Sequence, residues 1–222
     1  MLGTIINSTA IIVASLIGLF IGNRIKNDLK DGLIKVLGLC VSILGISMAL
    51  KMQNFLVVTF SLVLGYAIGD LLGIEKGFER FGKRVEERFK GSKFAEGFVT
   101  STLLFCVGSM AILGPIQEGL TGERSILLAK SLLDGIASLI LSSTLGIGVA
   151  FSSLSVLLYQ GFFTVFAGFI SPYLSEKMIN ELNSTGGVII FAIGLNLSRI
   201  ANFKVGNMLP ALLFAPLLSL FV

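Results

Sequence analysis

Lys130 and Asp134 are the residues best placed to do chemistry in this chain. They stand four apart in an apolar stretch, so one helical face carries both charges. Placing one ionisable side chain at a bilayer centre costs at least about 2.5–3.5 kcal/mol, and such residues normally face protein. Two readings follow. The pair lines a pathway or ion site, where it recognises or couples charge; or it is a self-neutralised structural pair, with Lys130 snorkelling outward. Ser131, Ser138, Ser142, Ser143 and Thr144 make the same segment polar.

Other polar groups sit in similarly apolar surroundings. Ser109 and Gln117 flank Gly114-Pro115, Asn196 and Arg199 end one apolar run, Asn207 and Pro210 lie in the last, and Gln160 is isolated. Ser109, Gln117, Asn196 and Asn207 are candidate polar ligands beside Lys130 and Asp134. Gly114-Pro115 frees backbone carbonyls, which reads as a broken helix end, a re-entrant turn or an ordinary loop. Pro210 and Pro216 should bend the last run.

Much chemistry is excluded. There is no histidine, which removes Ser-His-Asp and Cys-His catalysis and histidine metal sites. Cys40 and Cys106 form no CxxC and read as small buried thiols; no metal site is expected. No Walker, Rossmann or haem-type motif occurs, so no cofactor is expected and no enzyme is indicated.

The elements that must position these residues are membrane helices. Of 222 residues, 54% are hydrophobic and 14% charged, with a mean hydropathy of +0.93. That leaves too little polar surface to cover a soluble core, and the lipid bilayer must serve as solvent. The apolar runs predict an all-α polytopic protein of eight spans, with seven as the alternative: 4–23, 34–50, 55–73, 97–113, 126–143, 146–169, 187–199 and 205–222. The net charge of +4 indicates no nucleic acid, because the basic residues fill loops between apolar runs. Loops 24–35, 75–96 and 199–204 hold nearly all Lys and Arg, whereas the opposite loops hold Lys51, Arg124 and Lys177. The positive-inside rule then puts both termini outside.

Residues 75–96 form the one long polar segment. Phe78, Phe81, Val85 and Phe89 recur at helical spacing, which predicts an amphipathic helix on the cytoplasmic face, either a regulatory contact or an interfacial connector. The whole chain, 1–222, reads as one transmembrane domain with an internal repeat. Gly38 and Gly45 precede Asn54-Phe55; Gly187 and Gly194 precede Asn202-Phe203. The copies, 1–74 and 146–222, flank a central hairpin at 97–145. Their offset of five spans is odd, so they must be inverted, as is common in secondary transporters. Close glycine pairs such as Gly18/Gly22 and Gly65/Gly69 suit tight helix packing, and such faces would also suit a homodimer.

Several stretches carry a resemblance to a known family: Gly3-Thr4-Ile5-Ile6-Asn7, Gly108 to Gly114, Ser125 to Gly135, Thr144 to Gly148, Leu158-Tyr159-Gln160-Gly161, Gly194-Leu195-Asn196-Leu197 and Asn207 to Leu212. They resemble the bacterial YdfK/YqgA-like membrane proteins, domain of unknown function 554, over nearly the whole chain. The resemblance implies a multi-pass protein of the bacterial inner membrane and brings no catalytic or binding residues with it.

The leading expectation is a secondary transporter or channel-like protein for a small solute or ion. A non-transporting scaffold or sensor that uses the 75–96 helix is the alternative. An intramembrane aspartyl hydrolase built on Asp70 and Asp134 is more remote, since Ala67 stands where a GxGD motif has its first glycine and no Tyr-Asp pair exists.

Overall fold

The computed structural model describes residues 1–22, 24–78, 80 and 94–221. Most of the 75–96 segment lies outside them. The described residues are helical and contain no strand. The helices are α1 (Leu2–Gly22), α2 (Asn27–Ala49), α3 (Phe55–Leu72), α4 (Phe94–Cys106), α5 (Ser109–Thr121), α6 (Ser125–Leu145), α7 (Gly148–Val165), α8 (Ala167–Ile170), α9 (Glu176–Leu197) and α10 (Ala211–Leu218). Short 3₁₀ turns at Ser171–Tyr173 and Val205–Met208 precede α9 and α10.

Six of these helices are long and apolar enough to cross a bilayer, and the bent pair α4–α5 makes a seventh candidate. Val205–Leu218 is a shorter apolar helix, the counterpart of the expected eighth span. Large apolar side chains face outward on most of them, for example Ile43, Val63, Leu132 and Leu158, as expected when lipid is the solvent.

The packing defines two compact units. The first comprises the described residues of Met1–Lys30 and Gly82–Tyr173. Here α1 runs parallel to α6. Gly18 lies against Ser142 and the Leu139 carbonyl, and Gly22 against the Ser143 carbonyl, so closely that neither has room for a Cβ. α1 runs antiparallel to α7, with Thr4 beside Thr164 and Asn7 beside Gln160. α4 runs parallel to α7, with Gly148 against the Phe94 carbonyl and Thr102 donating to Ser155.

The second unit comprises the described residues of Asp31–Phe81 and Leu174–Val222. α2 and α9 cross antiparallel through reciprocal glycines: Gly38 meets Gly194, and Gly45 meets Gly187. α3 and α10 also pair antiparallel, Gly65 against Ala211 and Gly69 against Asn207. Asn54 caps α3 by accepting the N–H groups of Leu56 and Val57, and Ser175 caps α9 through Met178.

Several expectations are corrected. The break in the fourth span falls at Val107–Gly108, where the two axes bend by 59°, and not at Gly114-Pro115. Gly108 has φ +146°, a conformation that side chains oppose. Pro115 sits inside a continuous α5, held where Gly114 lies against Ile126 and Leu127 and Gly119 against the Thr164 carbonyl. The seventh span, expected at 187–199, is a full-length helix from Glu176, with Glu181, Ser184 and Thr185 buried in its N-terminal half. Cys40 is exposed and Cys106 only half-buried; an apolar run by itself does not separate lipid-facing positions from core.

Candidate functional site

The first unit is built around polar stripes. On α1, Thr4, Asn7, Ser8, Ile11, Ser15, Gly18 and Gly22 are buried at intervals of three and four. On α6 the buried face carries Leu127, Lys130, Ser131, Asp134, Ser138, Leu141 and Ser142; on α7 it carries Ser152, Ser153, Val156, Gln160 and Thr164. Each stripe is too polar to face lipid, so the three helices turn them toward one another.

Where the stripes meet, Lys130 Nζ donates to Asp134 Oδ1 at 2.9 Å and Oδ2 at 2.7 Å. Both residues are 6% exposed. Asn7 Nδ2 donates to Asp134 Oδ2 at 3.0 Å and to Gln160 Oε1 at 3.4 Å. The Asp134 carboxylate thus receives an ammonium from its own helix and an amide from α1. Asn7 Oδ1, Gln160 Nε2, Ser15 Oγ and Ser138 Oγ are buried without a partner, so an acceptor and a donor stand unused beside the charge pair. Cys106, at the end of α4 beside the break, lies within electrostatic reach of Lys130 and Asp134, and Tyr159 within reach of Cys106.

A second charged group closes one end of this unit. Glu118 of α5, 6% exposed, accepts the Gly3 N–H at 2.8 Å and pairs with Arg124 at 3.2 Å. It ties α5 to the start of α1.

The structure brings Lys130 and Asp134 together and gives the other candidates separate tasks. Ser109 opens α5 just after the break and is half-buried. Gln117 donates to Glu123 at 2.6 Å on an exposed edge. Asn196, in the second unit, closes a loop on Phe203, accepting its N–H at 2.7 Å and donating to its carbonyl at 2.8 Å. Asn207, also in the second unit, donates to Asp70 at 3.0 Å and accepts the Glu75 N–H at 2.9 Å. Arg199, at φ 60°, forms a bidentate pair with Asp31 at 3.0 and 3.2 Å.

Thr4, Asn7 and Glu118 are absent from the sequence-derived site. The signal was present in the 3–4 spacing of Thr4, Asn7, Ser8 and Ser15 along an apolar helix. Residues 2–220 match the family described as Protein of unknown function (DUF554). The chain belongs to that family. It is 38% identical to the uncharacterized membrane protein YdfK of Bacillus subtilis (strain 168) over 217 residues, 97% of this chain and 94% of that one. It is 31% identical to the uncharacterized protein YqgA of Escherichia coli (strain K12) over 225 residues, 98% of this chain and 96% of that one. No solved structure matches it. The family match covers both units, including α1, α6 and α7 with their buried charge pair.

Proposed function

We propose that the protein is a secondary transporter or channel-like protein that moves a small solute or ion across the bacterial inner membrane, with both termini outside. The observation that carries this reading is the desolvated Lys130–Asp134 pair inside the polar interface of α1, α6 and α7. An ion pair in that setting is expensive, and replacing it with apolar packing would often stabilise a purely structural helix. The unused Asn7 Oδ1 and Gln160 Nε2 add an acceptor and a donor for a solute. The bent α4–α5 pair in the same unit supplies interrupted helix, as transporter sites do.

An inverted internal repeat, as read from the sequence, would support the same reading. Each copy gives its first helix to the first unit (α1, α7) and its next two to the second (α2–α3, α9–α10). Each helix packs antiparallel on its own counterpart: α1 on α7, α2 on α9, α3 on α10. Antiparallel counterparts are what an inverted repeat requires. No catalytic step is part of this reading. Asp70 is engaged by Asn207 and Asp134 by Lys130 and Asn7, whereas a proteolytic dyad needs two carboxylates sharing one proton.

One observation favours a second reading, the non-transporting scaffold or sensor: the charge pair is closed on itself by two short bonds. Reconstituted vesicles separate the two. Flux of pooled ions and small solutes through the wild-type protein, lost in Lys130→Ala and Asp134→Asn, supports transport through this site. Normal flux in both variants sinks the site assignment, and no flux from the wild type across the pools favours the scaffold.

A further inference from the structure

The carboxylate of Glu181 is used by nothing described so far. It lies in the second turn of α9 and is 0% exposed. Its Oε1 accepts the backbone N–H groups of Gln53 at 3.1 Å and Asn54 at 2.7 Å. Its Oε2 has no partner, and among the described residues no ion pair involves it. Lys177, one turn earlier on α9, is half-buried, and Lys51, two residues before Gln53, is exposed; neither pairs with it.

Two more oxygens without partners stand on the same helical face. Ser184 Oγ and Thr185 Oγ1 follow Glu181 by three and four residues, and both residues are 0% exposed. Hydroxyls in a helix commonly donate back to a carbonyl one turn earlier, as Ser131 and Thr164 do here. Ser184 and Thr185 do not. Asn183 Oδ1 is unpartnered too, but its position points to the other side of α9 and takes no part.

A buried carboxylate without a counter-charge is strongly disfavoured. The unpartnered side-chain groups on that face are all oxygens, which suits a hard cation. One carboxylate balances one positive charge, whereas a divalent ion would leave a buried excess. We propose that Glu181, Ser184 and Thr185 form a site for a monovalent alkali cation within the second unit. Glu181 Oε2 supplies the charge, the two hydroxyls supply neutral oxygens, and the N–H groups on Oε1 fix the carboxylate. The site stands independently of the transport reading, because binding needs no flux.

Thermal unfolding of the purified full-length protein in detergent tests it, with NaCl, KCl or choline chloride at constant ionic strength and fixed pH. The expected result is a midpoint that rises saturably with Na⁺ or K⁺ over choline. The response should vanish in Glu181→Gln. In Ser184→Ala/Thr185→Val, which keeps the carboxylate, half-saturation should move up about tenfold. The double variant carries the test if Glu181→Gln does not fold. Lys130→Ala and Asp134→Asn should keep the response, which separates this site from the transport site. A wild-type midpoint indifferent to Na⁺, K⁺ and choline overturns the proposal. So does an alkali response unchanged in both Glu181→Gln and the double variant.

Discussion

Among the described residues, Asp134 receives three short bonds, from Lys130 twice and Asn7 once. Removing either charge leaves the other buried. Lys130→Ala should therefore lower stability by about 3–5 kcal/mol, whereas Lys130→Met/Asp134→Leu should recover most of that loss. Denaturation midpoints of wild type, Lys130→Ala and the double variant in one detergent check this, and a double variant no better than Lys130→Ala contradicts it. Asn7→Leu removes a hydrogen bond to a charged group and should cost about 1.5–3 kcal/mol by the same measurement. The two charges were legible in the sequence because ionisable groups stand out in apolar runs. Their neighbours were harder to see. Asn7, Thr4 and Gln160 are ordinary polar residues until α1 and α7 are known to face each other. Ser109, Gln117, Asn196 and Asn207 were equally visible, yet hydrogen bonding to loops, to an exposed edge or to Asp70 is a local matter that spacing does not reveal.

Helix pairs in this protein are set by close backbone approach. A Cβ on Gly38 would collide with Ser198 and one on Gly194 with Ser42, while Gly32 has open space around it. Gly38→Leu and Gly194→Leu should disrupt the α2–α9 crossing and lower the melting temperature sharply. Gly32→Ala should be neutral or slightly stabilising, by up to about 1 kcal/mol. Equal effects at all three positions would sink this account of the packing. At the break between α4 and α5, Gly108→Ala forces a side chain into φ +146° and should cost about 1–3 kcal/mol. Its heat-denaturation midpoint against that of Gly119→Ala, a packing glycine in the same helix pair, tests whether the strain is local to the break. The glycines could be read from sequence because small residues at intervals of four and seven suit helix contacts. The break could not be located, because Pro115 is the louder signal and only the backbone angle at Gly108 shows which residue yields.

That the chain is a set of apolar membrane helices came directly from hydropathy, since apolar length is what a bilayer demands; of the eight spans expected, six helices and one bent pair have the length and composition of a span, and the eighth is a shorter apolar helix. How the chain divides was not legible. Residues consecutive in sequence, α1 and α2, enter different compact units, while α1 and α6, more than a hundred residues apart, share one. Sidedness is a property of the complete chain, and the positive-inside rule fixes its prediction. In a cysteine-free background, Lys51→Cys and Lys177→Cys should react with a membrane-impermeant maleimide added to intact cells. Gly73→Cys and Lys204→Cys should react only after the membrane is opened. The reverse pattern would invert the assigned topology.

The parallel embrace of α1 and α6 has a consequence for synthesis. A ribosome adding about 5–20 residues per second finishes α6 roughly 6–25 s after α1. During that interval α1, apolar enough to enter the bilayer alone, displays Thr4, Asn7 and Ser15 with their helical partners still unmade. α1 therefore enters the bilayer well before its permanent neighbours exist. The newborn chain must hold a polar-striped helix in the membrane, in the insertion machinery or against its own early helices, until the charge pair arrives to claim it.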